Sequence, residues 1–205
     1  MNRDTQNGKT HIAVFIPVEP ALHVVIADQL LGCIERTQES LKKETKWEVT
    51  WILDTETPPE ALVIRPKTLS SRVERNSHIR NLMLEKHWDE KYDYIFWIDA
   101  DVEWHPMVFE SLIYKAIENK GTDILAPSVL LMGEDQRFYD IAGFVHEGRW
   151  MNIYPPYISK ENTSTLHQTK MDSVGAFYIV PSFLYSWGAR YAPHKEYTEH
   201  YSVCQ

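Results

Sequence analysis

Two aspartates one residue apart, Asp99 and Asp101, close a short apolar run in YDYIFWIDADVEW, Tyr92 to Trp104. Carboxylates are hard oxygen ligands that suit Mg2+ or Mn2+, and such ions keep positions open for phosphate oxygens. Side chains i and i+2 of an extended segment point the same way, so both acids would approach one cation. The chemistry suggested is a divalent ion gripping a phosphorylated ligand. Asp-x-Asp is nonetheless short, and it reads equally as a solvated strand end whose carboxylates favour the N-terminus of the next helix.

Positioning the pair is the task of the elements around it. Ile95 to Ile98 show the pattern of a strand buried on both faces of a parallel sheet, whose carboxyl edge is where open α/β sheets bind ligands. His105-Pro106 opens a helix over Met107 to Glu118, closed by Asn119-Lys120-Gly121. Upstream, His11 to Val18 reads as a first strand and Trp47 to Leu53 as a second, ending at Asp54. Between them Leu22, Val25, Ile26, Leu30, Ile34 and Leu41 recur at helical spacing, which completes a βαβ unit with a right-handed crossover. Pro58-Pro59 marks a loop and Leu62 to Ile64 a short strand. SSRVERNSHIRNLMLEKHW then forms a basic helix carrying Arg72, Arg75, Arg80 and Asn81, with Ile79, Leu82 and Met83 on its apolar face. Asp123 to Leu131 and Ser173 to Val180 read as further strands, Pro181 to Trp187 as a short helix, and Thr198 to Gln205 as the start of another. From Met132 to Lys170 no period holds beyond short strands at Phe144-Val145 and Trp150 to Ile153, the character of substrate-binding loops. The expected fold is α/β, a mixed and mainly parallel sheet flanked by helices.

A chain of 205 residues, 43% hydrophobic, suits one domain with a sizeable core. Its 21 basic and 29 acidic residues leave a net charge of −8, which argues against a nucleic-acid partner. Cys33 and Cys204 have neither metal-ligand spacing nor a disulfide framework, so a reducing compartment is expected. The polar start lacks a secretory h-region, and no run reaches the ~18 apolar residues of a membrane span. A soluble, cytoplasmic protein is the expectation. The helix cut short at Gln205 suits the N-terminal module of a longer polypeptide, with neighbouring domains after residue 205.

The order of elements and three blocks of residues together resemble the GT-A (Rossmann-like) nucleotide-sugar glycosyltransferases, from roughly Ile12 to the end. RVERNSHIRNLML followed by YDYIFWIDADVEWHP is similar to the Arg-Asn helix and Asp-x-Asp strand of fungal Golgi mannosyltransferase families and related viral and bacterial enzymes. DSVGAFYIV resembles their Asp-x-Val-Gly-Gly strand, with Ala176 replacing the second glycine. TEHYSVC resembles the acidic motif that opens the last GT-A helix, often Glu-Asp, with His200 in place of the Asp.

The resemblance implies transfer of a sugar from a nucleoside-diphosphate donor to a glycan hydroxyl, with Mn2+ or Mg2+ as cofactor. Asp101 would bind the metal directly, and Asp99 the ribose or the metal through water. Pro17, Val18 and Glu19 would line the nucleotide site, and Asp54 would accept from the base, which favours UDP over GDP. Arg80 and Arg75 would face the diphosphate or the carboxylates, and Gly175 would let backbone approach the donor sugar. Glu199 would be the general base if the reaction inverts the anomeric centre, with Asp172 as second candidate. His200 would bind diphosphate or help hold the metal, with His194 more remote. Plainer readings stand beside these: Asp54 as a turn residue, Arg80 as a structural ion-pair partner, Gly175 as a bulge, Glu199 as a helix N-terminal acid. Retention against inversion stays open, because the similar mannosyltransferases retain while Glu-Asp is typical of inverting enzymes.

Other classes fit less well. Phosphatases with an Asp-x-Asp strand carry Thr or Val two residues beyond the second Asp, where this chain has Glu103. A nucleotidyltransferase would carry a glycine-rich basic loop after its first strand, where this chain has Ile-Pro-Val-Glu-Pro. An inactive sugar- or nucleotide-binding module of the same fold is the non-enzyme alternative.

Overall fold

Five consecutive apolar positions in one strand need cover on both faces, and β1 (Thr10–Pro17) has it, with Ile12 to Ile16 wholly buried. The computed structural model describes residues 8–18, 24–54, 69–127, 129, 145–146, 149–150, 174–193 and 200–204. Glu19, Asp172, His194, Glu199 and the strand expected over Leu62 to Ile64 lie outside them.

The remaining elements, in order, are α1 (Val24–Leu41), β2 (Trp47–Asp54), α2 (Leu69–His87), β3 (Tyr94–Ile98), α3 (Pro106–Glu118), β4 (Val145–His146), β5 (Arg149–Trp150), β6 (Phe177–Pro181), α4 (Phe183–Ser186) and α5 (Tyr201–Cys204). The main sheet has the order β2-β1-β3-β6, and β4 and β5 form a separate antiparallel pair. β1 pairs parallel with both β2 and β3, while β6 runs antiparallel to β3. The result is a mixed, mainly parallel sheet flanked by helices, as expected.

Both faces of the sheet are covered. Odd and even positions of each strand point oppositely. On one side Ile12, Val14, Ile16, Phe96 and Ile98 meet Leu30, Cys33 and Ile34 of α1 and Phe109, Ile113 and Ala116 of α3. On the other, Ala13, Phe15, Ile95 and Trp97 meet Met83 and Leu84 of α2 together with Tyr185, Tyr191 and Val203. α3 begins where the side chain of His105 accepts from the Met107 N–H and Pro106 takes the first turn. It ends at Lys120 and Gly121, both at positive φ, and a Cβ at Gly121 would stand 3.3 Å from the Tyr94 hydroxyl.

Three local expectations change, the first being that the strand expected from Ser173 begins only at Phe177, because Ala176 at φ +48° is not extended. The strand expected over Asp123 to Leu131 is, among its described residues, a single bridge in which Leu125 exchanges two hydrogen bonds with Ile179; Pro127, with no N–H to donate, does not continue the ladder. The extended geometry expected for Asp99-Ala100-Asp101 is a turn instead: β3 ends at Ile98, and the Val102 N–H donates to the Asp99 carbonyl at 3.0 Å. Asp99 and Asp101 therefore are not successive same-face positions of one strand.

Candidate functional site

Strand register assembles one edge. Pro17 is level with Asp54, and Phe15 with Trp97, so Pro17 and Asp99 leave the sheet at the same height. Because β6 is antiparallel, its entry lies at this same carboxyl edge: Phe177 faces Ile98, and the Asp99 N–H donates to the Ala176 carbonyl at 2.8 Å. Asp54, Pro17, Val18, Asp99, Asp101 and Gly175 thus share one margin of the sheet.

At its centre Arg80 donates from Nη2 to Asp99 Oδ1 at 2.7 Å, with the Arg80 side chain 4% and the Asp99 side chain 35% exposed. The buried stripe of α2 runs Val73, Ser77, Arg80, Leu84, spaced i, i+4, i+7, i+11, so helix geometry carries the guanidinium into the interior. There it lies 5.1 Å from the Trp97 ring centroid and 5.6 Å from that of Tyr191, a double cation–π setting. Asn81, next on the helix, clamps the Tyr191 backbone from both sides, its amide donating to the carbonyl at 2.8 Å and its oxygen accepting from the N–H at 2.9 Å. The Arg-Asn pair thus fixes two things at once, the carboxylate ahead and the aromatic wall behind.

That wall was missed in the sequence. Tyr178, Tyr185 and Tyr191 are fully buried, and their hydroxyls form a cluster with the Trp97 indole and His200 Nδ1. Burial, opposed in part by the Arg80 charge, pushes the Tyr178 phenol far above its ordinary value; burial does the same to Tyr191 and lifts Tyr185 to about 12. All three stay neutral at physiological pH. His200 is itself buried, and α5 behind it docks on this edge: the Val174 N–H bonds to Cys204, whose thiol burial raises to about 11. The Ala192 N–H donates to Ser202 Oγ at 2.8 Å.

Ala176 has φ +48°, and the Phe177 N–H donates back to the Gly175 carbonyl at 2.5 Å, which makes a γ-turn. This is the position where the resembled pattern has its second glycine. Alanine here holds a left-handed backbone that glycine would adopt freely, strain of a kind concentrated at functional sites.

At the other end of the edge Asp54 is buried, with His87 Nε2 at 3.3 Å and Lys86 Nζ at 3.8 Å from Oδ2. The Val18 N–H donates to the Asp54 carbonyl at 3.0 Å. Asp54 is therefore an acid held by the last turn of α2 and not an exposed turn residue, and His87 is a neighbour that sequence reasoning overlooked. Arg75 is half-buried on α2, five residues before Arg80.

Asp101 is exposed in the turn after β3. Among the described residues no group of three or more His, Cys, Asp or Glu side chains is placed to hold a metal ion. Two hard carboxylates fit a cation that takes one or two protein ligands and completes its shell with water and substrate phosphates, which is the habit of Mg2+ and also open to Mn2+. The donor set suits that group and no all-protein cage.

No family model matches the sequence. No curated protein matches it either, so the likeness to fungal Golgi mannosyltransferase families rests on the quoted blocks alone. Among solved structures the chain is similar to S. aureus TarS 1–349, at 10% identity and TM-score 0.46, over 95% of this chain and 54% of that one. It is similar to a Drosophila β-1,4-galactosyltransferase 7 variant in complex with manganese, UDP-Gal and xylobiose, at 15% identity and TM-score 0.37, over 90% and 54%. A third is 4-diphosphocytidyl-2C-methyl-D-erythritol synthase from Anaerococcus prevotii, at 8% identity and TM-score 0.39, over 90% and 76%. The chain spans about half the length of the first two. Among the described residues no helix is long and apolar enough to cross a membrane.

Proposed function

We propose that this chain is a metal-dependent glycosyltransferase, moving a sugar from a nucleoside-diphosphate donor, UDP in preference to GDP, to a glycan hydroxyl. The observation that carries the reading is the Asp99–Arg80 pair at the carboxyl edge of the parallel strands, with Asp101 exposed in the turn that follows. Asp101 would hold Mn2+ or Mg2+ directly and Asp99 directly or through water, and the bound ion would supply charge stabilisation at the diphosphate oxygens.

The chain's own residues do the rest. Pro17, Val18 and Glu19 line the nucleotide, and Asp54 accepts from the base N–H. That preference for a pyrimidine N–H is why UDP is favoured. Arg80 aims Asp99 by a charge-assisted bond and adds positive potential where the leaving group gathers negative charge. Arg75 adds to the same field, and the Gly175-Ala176 turn brings backbone to the donor sugar. In an inverting reaction Glu199 takes the proton of the acceptor hydroxyl as its oxygen bonds to the anomeric carbon and the diphosphate departs with the bonding pair; Asp172 is the alternative base.

The test is a panel of UDP- and GDP-sugars assayed for donor hydrolysis and thermal shift, with and without Mn2+, on the native chain and on Asp101→Ala. Metal-dependent nucleotide binding should vanish in the variant while its melting temperature without ligand stays near the native value. Equal nucleotide binding in both proteins refutes the metal assignment. Glu199→Gln should keep donor binding and lose transfer; losing both together would give Glu199 a structural role.

A further inference from the structure

Asp99 and Asp101 stand two residues apart, yet they are anchored from opposite faces of the sheet. Asp99 is held from the α2 face by the Arg80 guanidinium, which lies over Trp97 and Tyr191 there. The turn that carries Asp101 runs on through Val102-Glu103-Trp104-His105, in which Val102 and Trp104 are buried while Asp101, Glu103 and His105 are exposed. Val102 and Trp104 belong to the other face, with Leu30, Cys33 and Ile34 of α1.

Two consecutive residues of α1 meet two consecutive residues of this segment. Trp104 Nε1 donates to Thr37 Oγ1 at 3.0 Å, and Arg36 Nη2 lies 3.7 Å from a Glu103 carboxylate oxygen. The ion pair is exposed on both sides, where such pairs contribute little. The hydrogen bond is buried, and the Trp104 ring is packed between Trp51 of β2, stacked at 6.4 Å, and Phe177 of β6, edge-on at 5.8 Å. An indole N–H only donates, and the one threonine proton goes to the Cys33 carbonyl at 2.8 Å, so Thr37 must be the acceptor for Trp104. A threonine that bonds back to the i−4 carbonyl slightly destabilises its helix, so helix propensity does not account for a hydroxyl at this position. What the hydroxyl adds is a fixed point for Trp104, three residues after Asp101.

We propose that Thr37 and Trp104 are positioning residues for Asp101: the buried hydrogen bond to α1 sets where the second carboxylate stands relative to the first. Asp99 is aimed from one side of the sheet and the Asp101 turn from the other, so the two anchors are separable by substitution. The inference rests on the metal role given to Asp101 above.

Three variants test it. Thr37→Val keeps the shape and removes the acceptor, and Thr37→Ser keeps the acceptor. Tyr94→Phe removes a buried hydrogen bond at the opposite edge of the sheet, from the Tyr94 hydroxyl to the Ala116 carbonyl at 3.1 Å. UDP is titrated calorimetrically into each protein with and without Mn2+, and Mn2+ should tighten binding to the native chain. Thr37→Val should lose about 10-fold in affinity with Mn2+ present, the scale of outer-shell changes at metal sites, and nothing without it. Thr37→Ser and Tyr94→Phe should match the native chain in both conditions. If Thr37→Val does not fold, Trp104→Phe, which leaves Thr37 its bond to Cys33, takes its place. Native affinity with Mn2+ in the folded variant overturns the positioning role while the metal reading stands, and an equal loss in Tyr94→Phe overturns it as a general effect of stability. If Mn2+ does not tighten UDP binding to the native chain, the metal reading falls and the positioning role with it. Deuterium exchange of the Trp104 indole proton, the signal missing from Trp104→Phe, tests the anchor without any ligand. It should be slow in the native chain and in Thr37→Ser and faster in Thr37→Val; one rate in all three overturns the anchor itself.

Discussion

Replacing Asp99 and Asp101 with asparagine one at a time separates what each carboxylate does for the fold from what it does for a ligand. Asp99 accepts at 2.7 Å from a guanidinium whose side chain is 4% exposed. A bond to a charged group is worth roughly 1.5–3 kcal/mol, and asparagine keeps an acceptor oxygen while losing the charge, so Asp99→Asn should cost about 2 kcal/mol. At roughly 2–4 °C per kcal/mol for a domain of this size, its melting temperature should fall by about 4–8 °C. Asp101 is exposed, and surface substitutions of that kind stay within about 0.5 kcal/mol, or about 2 °C at most. Ligand then exposes the loss that the two variants share. UDP with Mn2+ at about 100 times Kd stabilises the native chain by about 2.7 kcal/mol, and both variants should lose most of that gain. The assay is four thermal melts by circular dichroism on each protein: no ligand, Mn2+, UDP, and both. If Asp101→Asn melts many degrees low without ligand, the turn is held by that side chain and the division of labour is wrong. If it keeps the full shift with Mn2+ and UDP, the cation does not sit there.

Three further outcomes follow from the geometry. Phenol and thiol pKa values raised in the folded state give stability that is complete below the unfolded values, near 10.0 for Tyr185 and 9.0 for Cys204, and is lost as pH climbs through about 12 and about 11; Tyr185→Phe should remove on the order of 1 kcal/mol from the fall reached by pH 11, and melts from pH 7 to 11 with an unchanged slope would contradict it. At Ala176, glycine relieves about 1–2 kcal/mol of left-handed strain but loses a buried methyl and gains unfolded-state entropy, so Ala176→Gly should be neutral within about 1 kcal/mol, whereas Ala176→Val should cost roughly 2–3 kcal/mol in urea unfolding. Asn81→Ala leaves the Tyr191 N–H and carbonyl without their partner and should cost about 2–3 kcal/mol, with Asn81→Asp, which keeps the acceptor and loses the donor, falling between it and the native chain.

What could be read from the chain beforehand divides along local and distant information. β3 and α3 were legible because an unbroken apolar run and a His-Pro start with a Lys-Gly end are local signals, and β1, β2 and β3 fell within a residue of expectation, whereas β6 begins four residues after the Ser173 start expected for it. Arg80 was noticed as a charge but not as an interior residue: a basic side chain breaks an apolar stripe, and only the spacing from Val73 through Ser77 to Leu84 reveals that it lies on one. The turn at Asp99 was hidden because nothing in Asp-Ala-Asp forbids continued extension; the Val102 N–H finding the Asp99 carbonyl decides it. The tyrosine chain was not legible at all. Its links join Trp97 to Tyr185 and Tyr178 to Tyr191, positions related only by the folded path, which no periodicity records.

Asn81 and Tyr191 stand 110 residues apart, whereas Arg80 and Asp99 are separated by 19. A ribosome adding about 5–20 residues per second needs on the order of 5–20 s to deliver Tyr191 after Asn81 has been made. During that interval the Arg80 cation has the Trp97 ring and its carboxylate but not the Tyr191 ring that completes its lining. Maturation of this pocket is thus tied to completion of the C-terminal third of the chain, and a nascent fragment ending before residue 191 would carry the acids without the Tyr191 and His200 parts of the wall behind Arg80.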